Sequence, residues 1–183
     1  MKFFIISDIH GSVDYLEKVL KFYSPEEYGQ IILFGDLMYH GPRNPLPSGY
    51  DPKSVAEILN NYKNEVMAVR GNCDSEVDQM LLKFPIMGDY SMILAGERKI
   101  FITHGHIYNE DNKPPMKKGD ILLHGHTHIP MAEKKDGFYI CNPGSISLPK
   151  NNYPNSYGIL TKNSFKIKDF DGNIIGEIKF ETE

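Results

Sequence analysis

The sequence predicts an α/β fold in which two β-sheets pack face to face and helices cover the outside. Three observations predict it. Short apolar runs alternate with amphipathic segments through residues 1–85, and closely spaced strand candidates fill the rest. Five successive core-strand ends also finish in a Gly-flanked Asp, Asn or His.

Residues 3–7, 31–34 and 66–69 are apolar runs rich in β-branched or aromatic residues, the pattern of buried strands. Between and after them the spacing turns helical. Val13, Leu16 and Leu20 follow Ser12, a good N-cap. Val55, Ile58, Leu59 and Tyr62 repeat at i, i+3, i+4 and i+7 behind Pro52, and Val77, Met80, Leu81 and Phe84 do the same before Pro85. Strand–helix–strand alternation implies parallel strands joined by right-handed crossovers. After residue 85 strands are expected at 91–94, 99–103, 121–124, 138–141, 157–160 and 165–170, with Asp171-Gly172 turning into 174–180. No linker or repeat interrupts the chain, so residues 1–183 are expected to form a single domain. The loop at 40–52 carries Pro42, Pro45, Pro47 and Pro52 with Gly41 and Gly49, which makes it a stiff candidate binding loop.

Composition narrows the function classes. A net charge of −4, with no run of Lys or Arg longer than two residues, argues against a nucleic-acid polymer as partner. The apolar run at the N-terminus ends at Ser7-Asp8, too short for a signal peptide, and no stretch suits a membrane span. Two cysteines, Cys73 and Cys141, indicate no disulfide framework. A cytoplasmic location is the expectation.

The chemistry sits at the strand ends. Asp8-Ile9-His10-Gly11, Gly35-Asp36, Gly71-Asn72-Cys73-Asp74, His104-Gly105-His106 and Gly125-His126-Thr127-His128 each follow a predicted strand. Ligands of open α/β sheets bind at the carboxyl ends of strands, so these segments can converge on one rim. All seven histidines lie in or beside these segments, which a scattered structural set would not do. Carboxylate, amide and imidazole without thiolate suit Mn, Fe, Zn, Ni or Co in a reactive site rather than a structural zinc cluster.

The ordered series Asp8-x-His10, Gly35-Asp36, Gly71-Asn72, His104-Gly105-His106 and Gly125-His126-x-His128 resembles the calcineurin-like metallophosphoesterase superfamily. Gly41-Pro42-Arg43-Asn44-Pro45 and Gly71-Asn72-Cys73-Asp74-Ser75 further resemble its YfcE-type branch of small phosphodiesterases. The resemblance implies a four-layer α/β/β/α sandwich of two mixed sheets flanked by helices. It implies two divalent cations, Mn²⁺ in first place, with Asp8, His10 and His128 on one, Asn72, His104 and His126 on the other, and Asp36 bridging. A hydroxide activated by both cations would then attack phosphorus in line.

Many members of the family carry His where this chain has Cys73. A thiol is a weaker hydrogen-bond donor and a poorer general acid than imidazolium, which favours diesters and acidic leaving groups over alkyl monoesters. Arg43 is the candidate phosphate clamp, because guanidinium matches phosphate oxygens bidentately. Cys73 is expected to line the phosphate site, His40 to reach substrate and His106 to orient a metal-facing ring. His124 reads as a strand-end residue facing another layer. Asn142-Pro143-Gly144-Ser145 resembles a recurring late segment of the same branch, which implies a buttress of the rim. The expected substrate is a small organic phosphate ester, and a homodimer or homotetramer fits an enzyme of this size. A phosphomonoesterase is the alternative enzyme, and a non-catalytic scaffold of the same fold is the alternative class.

Overall fold

The structure is a computed structural model and describes residues 1–181. Three helices and three strands alternate first: β1 (Lys2–Ile6), α1 (Val13–Leu20), β2 (Gln30–Leu33), α2 (Pro52–Asn60), β3 (Val66–Ala68) and α3 (Glu76–Leu81). Strands follow: β4 (Tyr90–Ala95), β5 (Arg98–Thr103), β6 (Ile121–Leu123), β7 (Met131–Lys135), β8 (Phe138–Asn142), β9 (Ser156–Thr161), β10 (Ser164–Asp169) and β11 (Ile174–Lys179). Each helix starts on a side-chain cap. Ser12 accepts from Tyr15 N, Asp51 from Ser54 N ahead of Pro52, and Ser75 forms a reciprocal capping box with Asp78.

Both sheets are mixed. The first runs β11-β10-β9-β1-β2-β3, with β1, β2 and β3 parallel. The second runs β4-β5-β6-β8-β7, with β5, β6 and β8 parallel. Alternation along β1 divides its side chains between two cores. Phe4 and Ile6 pack with Leu16, Val19, Val55 and Leu59 of α1 and α2, whereas Ile5 packs between the sheets with Ile32, Ile102, Leu123 and Leu160. Burial on both faces is why β1 and β2 read as unbroken apolar runs.

Two mixed sheets with flanking helices match the predicted class, with three differences of detail. Among the described residues no helix follows Leu81, so the layer outside the second sheet is irregular chain. Tyr108 from that chain packs on Phe101 and Tyr90. The stripe that predicted α3 faces solvent, with Val77 67%, Met80 84% and Leu81 50% exposed, and only Phe84 beyond the helix joins the core. Strand β7 was not expected from the sequence. It is a polar edge strand, Met-Ala-Glu-Lys-Lys, whose lysines suit an edge that must not pair further.

Candidate metal centre

The carboxyl ends of β1, β2 and β3 from one sheet meet those of β5 and β6 from the other. Asp8, His10, Asp36 and Asn72 arrive from the first sheet, and His104, His126 and His128 from the second. The backbone there is unusual. Asp8, His10, Asp36, His126 and His128 all have positive φ, between 50 and 66°. Non-glycine residues seldom adopt this conformation, and such strain persists where surrounding structure enforces it, often at functional sites.

The close approach of these turns depends on glycine. A Cβ on Gly71 would lie 2.1 Å from Asp36 Oδ1, and one on Gly125 would lie 2.0 Å from Ser7 Oγ and 2.9 Å from Asp8 Oδ2. Only bare backbone lets the second-sheet turn sit against Asp8.

Two donor clusters result. In the first, Asp8 Oδ1 lies 3.3 Å from His128 Nε2 and 3.8 Å from His10 Nε2, and the two ring nitrogens are 3.1 Å apart. In the second, Asp36 Oδ2 lies 3.4 Å from His104 Nε2, which is itself 3.1 Å from Asn72 Oδ1 and 3.2 Å from His126 Nδ1. Asp36 Oδ2 is also 3.7 Å from His10 Nε2, so this one oxygen faces both clusters.

Hydrogen bonds fix which atoms point inward. His10 Nδ1 donates to Tyr39 O (2.9 Å), His128 Nδ1 to Leu148 O (2.6 Å) and His104 Nδ1 to Phe34 O. A carbonyl can only accept, so in each neutral ring the Nε2 lone pair is turned to the centre. Asp8 Oδ2 receives Ser7 Oγ and His126 N, while Asp8 Oδ1 is buried with no hydrogen-bond partner. An orphaned carboxylate oxygen facing two imidazole lone pairs is the donor set of a divalent cation, and the residues present fit one in each cluster.

Electrostatics agree. Burial pushes Asp8 up, but His128, His104 and His10 outweigh it and hold the carboxyl well below the usual range. Asp36 is likewise lowered by His104 against its burial. Burial and the charge of His104 hold His126 down to about 4. Cys73 Sγ also comes within reach of His10 and Asp36. Its burial and the nearby Asp36 push the thiol far up. It accepts from Asn72 Nδ2 (3.3 Å), which leaves Asn72 Oδ1 aimed at His104.

A cleft of about 440 Å³ opens over the second cluster and His128, lined among others by Asp36, Arg43, Asn72, Cys73, His126 and Lys150. The loop at 40–52 forms one wall and is tied to α1 through Val13 N to Gly49 O and Ser12 Oγ to Ser48 O. The structure brings Arg43 and Cys73 into this cleft. It does not bring His40 there, because that ring packs edge-on against Tyr39 and Tyr50. His106 lies beside His104, 5.4 Å between ring centroids, but hydrogen-bonds to none of the metal-facing rings. His124 is buried behind the turn and contacts Gly125 O and Asn142.

Two supporting residues, Asp74 and Ser147, carry no signal of their role in the sequence. Asp74 accepts from Asp36 N, Leu37 N and Gly71 N at 2.7–2.9 Å, clamping the ends of β2 and β3 together. Burial pushes its carboxyl up to about 6 against the pull of those N–H groups. Ser145 and Ser147 both donate to Asp8 O (2.9 Å), and Asn142 Nδ2 donates to Gly125 O and Thr127 Oγ1. The Asn142–Ser145 segment thus buttresses the rim, as its resemblance to a late segment of the small phosphodiesterases implied.

Residues 1–164 match the profile of the calcineurin-like phosphoesterase superfamily domain. The chain belongs to that superfamily. It is 44% identical over 179 residues to phosphodiesterase YfcE of Escherichia coli K12, covering 97% of each chain. The solved structure of the E. coli protein, described as a phosphoesterase, superposes with a TM-score of 0.96 at 43% identity, covering 99% of this chain and 100% of that one. A probable metallophosphoesterase of Bacillus subtilis, YsnB, is 32% identical, covering 88% of this chain and 84% of its own. Membership implies divalent metal ions, for which the two donor clusters are the candidate ligands.

Proposed function

We propose that the protein is a metal-dependent phosphodiesterase that hydrolyses a small organic phosphodiester by direct attack of water in line with the leaving oxygen. The observation that carries this reading is the pair of donor clusters joined at Asp36 Oδ2, at the base of a cleft that also holds Arg43. Asp8, His10 and His128 would hold one cation and Asn72, His104 and His126 the other, with Asp36 the shared anion that would offset the repulsion of two close cations. Divalent cations supply Lewis acidity, acidifying the attacking water and neutralising charge on the phosphoryl oxygens.

The chain supplies positioning. Tyr39 O, Phe34 O and Leu148 O hold three imidazoles in their metal-facing tautomer, and Asp74 keeps Asp36 and Asn72 in register. Arg43 clamps the non-bridging oxygens of the phosphate. Cys73 orients Asn72 and leaves no imidazole at that position to protonate the leaving group, which favours an ester with an acidic alcohol. The 44% identity to a named phosphodiesterase supports the diester reading.

The reading extends to a single-domain cytoplasmic enzyme that uses Mn²⁺ and forms a dimer or tetramer. Free Cys73 and Cys141 support the reducing location, the thiolate-free ligand set the metal, and the exposed apolar face of α3 the assembly. The first test is a chromogenic aryl diester with Mn²⁺, run beside the matched monoester. Faster diester turnover is expected. Faster monoester turnover would favour a phosphatase, and an inert, metal-free protein would favour the scaffold. Asp36→Asn should lose about a hundredfold or more in turnover together with part of its bound metal. Full activity in that variant would sink the bridging assignment.

A further inference from the structure

Arg43 and Lys150 reach the cleft from different segments. Arg43 follows Gly41, which abuts Cys73 Sγ, whereas Lys150 follows the segment tied to His128. In the reading above Arg43 is occupied by the scissile phosphate, which leaves Lys150 without an anion. Among the described residues no carboxylate lies within 4.0 Å of Lys150 Nζ, although Lys2, Lys134 and Lys135 elsewhere are paired. Among the described residues the only carboxylate lining the cleft is Asp36, which faces the metal clusters. With a chain net charge of −4, a locally cationic wall is not a product of general basicity.

The backbone of Lys150 is tied to the centre. His128 Nδ1 donates to Leu148 O, and Lys150 N donates back to His128 O (3.3 Å). Tyr153 N closes the following turn on Lys150 O (3.1 Å), with Asn151 and Asn152 at φ 53° and 61°. Two successive left-handed residues are costly, and asparagine tolerates them best among residues with a side chain.

Thr127 completes the wall. Its Oγ1 accepts from Asn142 Nδ2 (3.0 Å) and Ile129 N (3.3 Å). With both lone pairs used, the hydroxyl can only donate, and Thr127 lines the same cleft. An ammonium with no carboxylate partner and a hydroxyl left to donate, lining one cleft, make a site for an anion.

We infer that Lys150 and Thr127 bind a second anionic group of the substrate, a carboxylate or a phosphate, carried beyond the scissile phosphodiester. The inference rests on the phosphodiesterase reading and narrows its substrate to an ester with at least two negative charges. Charge-assisted hydrogen bonds of this kind change affinity by about tenfold or more.

The test uses Mn²⁺-loaded wild type, Lys150→Gln and Lys150→Arg, with metal content checked in each. Three p-nitrophenyl phosphodiesters carry a methyl, a carboxypropyl or a phosphopropyl second arm. Wild type should show kcat/KM about tenfold or more higher for an anionic arm, and the arm it prefers identifies the group. Lys150→Gln should collapse that ratio and Lys150→Arg should restore most of it. Calorimetry supplies the second readout, with non-hydrolysable phosphonate monoesters bearing the same three arms. The anionic analogues should lose about tenfold in affinity in Lys150→Gln. No arm preference in wild type, or an equal loss across all three arms, overturns the inference. If no diester is cleaved, the phosphodiesterase reading fails by itself, and the calorimetric ratio still decides whether the anion site exists.

Discussion

Asp74 holds the site together without facing it. Its two oxygens accept three backbone N–H groups, from Asp36, Leu37 and Gly71, in a buried pocket. Asp74→Ala would leave those donors without partners, and buried unsatisfied donors cost about 1–3 kcal/mol each. The variant should lose about 3 kcal/mol or more in urea unfolding of the metal-free protein, and about 10–100-fold in Mn²⁺ affinity. Unchanged metal affinity would show that the clamp does not position Asp36. His104 carries a different prediction. Burial lowers its pKa, but the hydrogen bond and charge of Asp36 prevail and push it up to about 9, against an ordinary 6.5. In the metal-free protein that protonated ring stabilises the fold fully below about 6.5, and the contribution fades as pH rises through about 9. A cation must displace the proton, so apparent Mn²⁺ affinity should rise with pH up to about 9. Titrations at pH 6.5, 7.5 and 8.5 measure it, and a flat series would remove His104 from the ligand set.

At the scale of elements, the site is made by turns that touch. The turn after β6 presses Gly125 against Ser7 and Asp8 at the end of β1, so Gly125→Ala forces overlap with Ser7 Oγ. Overpacking of this kind costs about 1–3 kcal/mol, read as a drop in thermal midpoint. Ser7→Ala in the same chain removes the atom that is struck and should recover part of the loss; no recovery would place the strain elsewhere. These contacts also mark where the sequence stops being legible. Strand ends with Gly-flanked Asp, Asn and His announced the centre, because polar ligand types stood where apolar runs ended. The clamps of Asp74 and Ser147 were illegible because each joins residues distant in the chain, and a serine or aspartate looks the same with or without such a partner. Strand β7 hid for a local reason, since Glu133, Lys134 and Lys135 on an exposed edge carry no alternation. The α3 pattern misled in the opposite sense: its apolar spacing was real, but Val77, Met80 and Leu81 face outward.

Over the whole molecule, the centre joins two sheets that otherwise meet through apolar side chains. Asp8, His10, Asp36 and Asn72 belong to one sheet and His104, His126 and His128 to the other, so each proposed cation would be held from both. At the rim Asp8 Oδ1 has no hydrogen-bond partner, and His10 Nε2 lies only 3.1 Å from His128 Nε2. Binding relieves both, and a ligand that binds only the folded state stabilises it by mass action. At a hundred times the dissociation constant the gain is about 2.7 kcal/mol per site. For a chain of this size each kcal/mol moves the thermal midpoint by about 2–4 °C, so one filled site should raise it by roughly 5–10 °C over chelated protein. The gain should be concentrated at the rim. Hydrogen exchange should slow most at the amides of Cys73 and His126, which donate to Asp36 and Asp8. The turn of β10–β11, at the far edge of the first sheet, should change little. A uniform shift in exchange, or a midpoint indifferent to chelation, would mean that the sheets hold their rim without the cations and that the donor clusters do not join them.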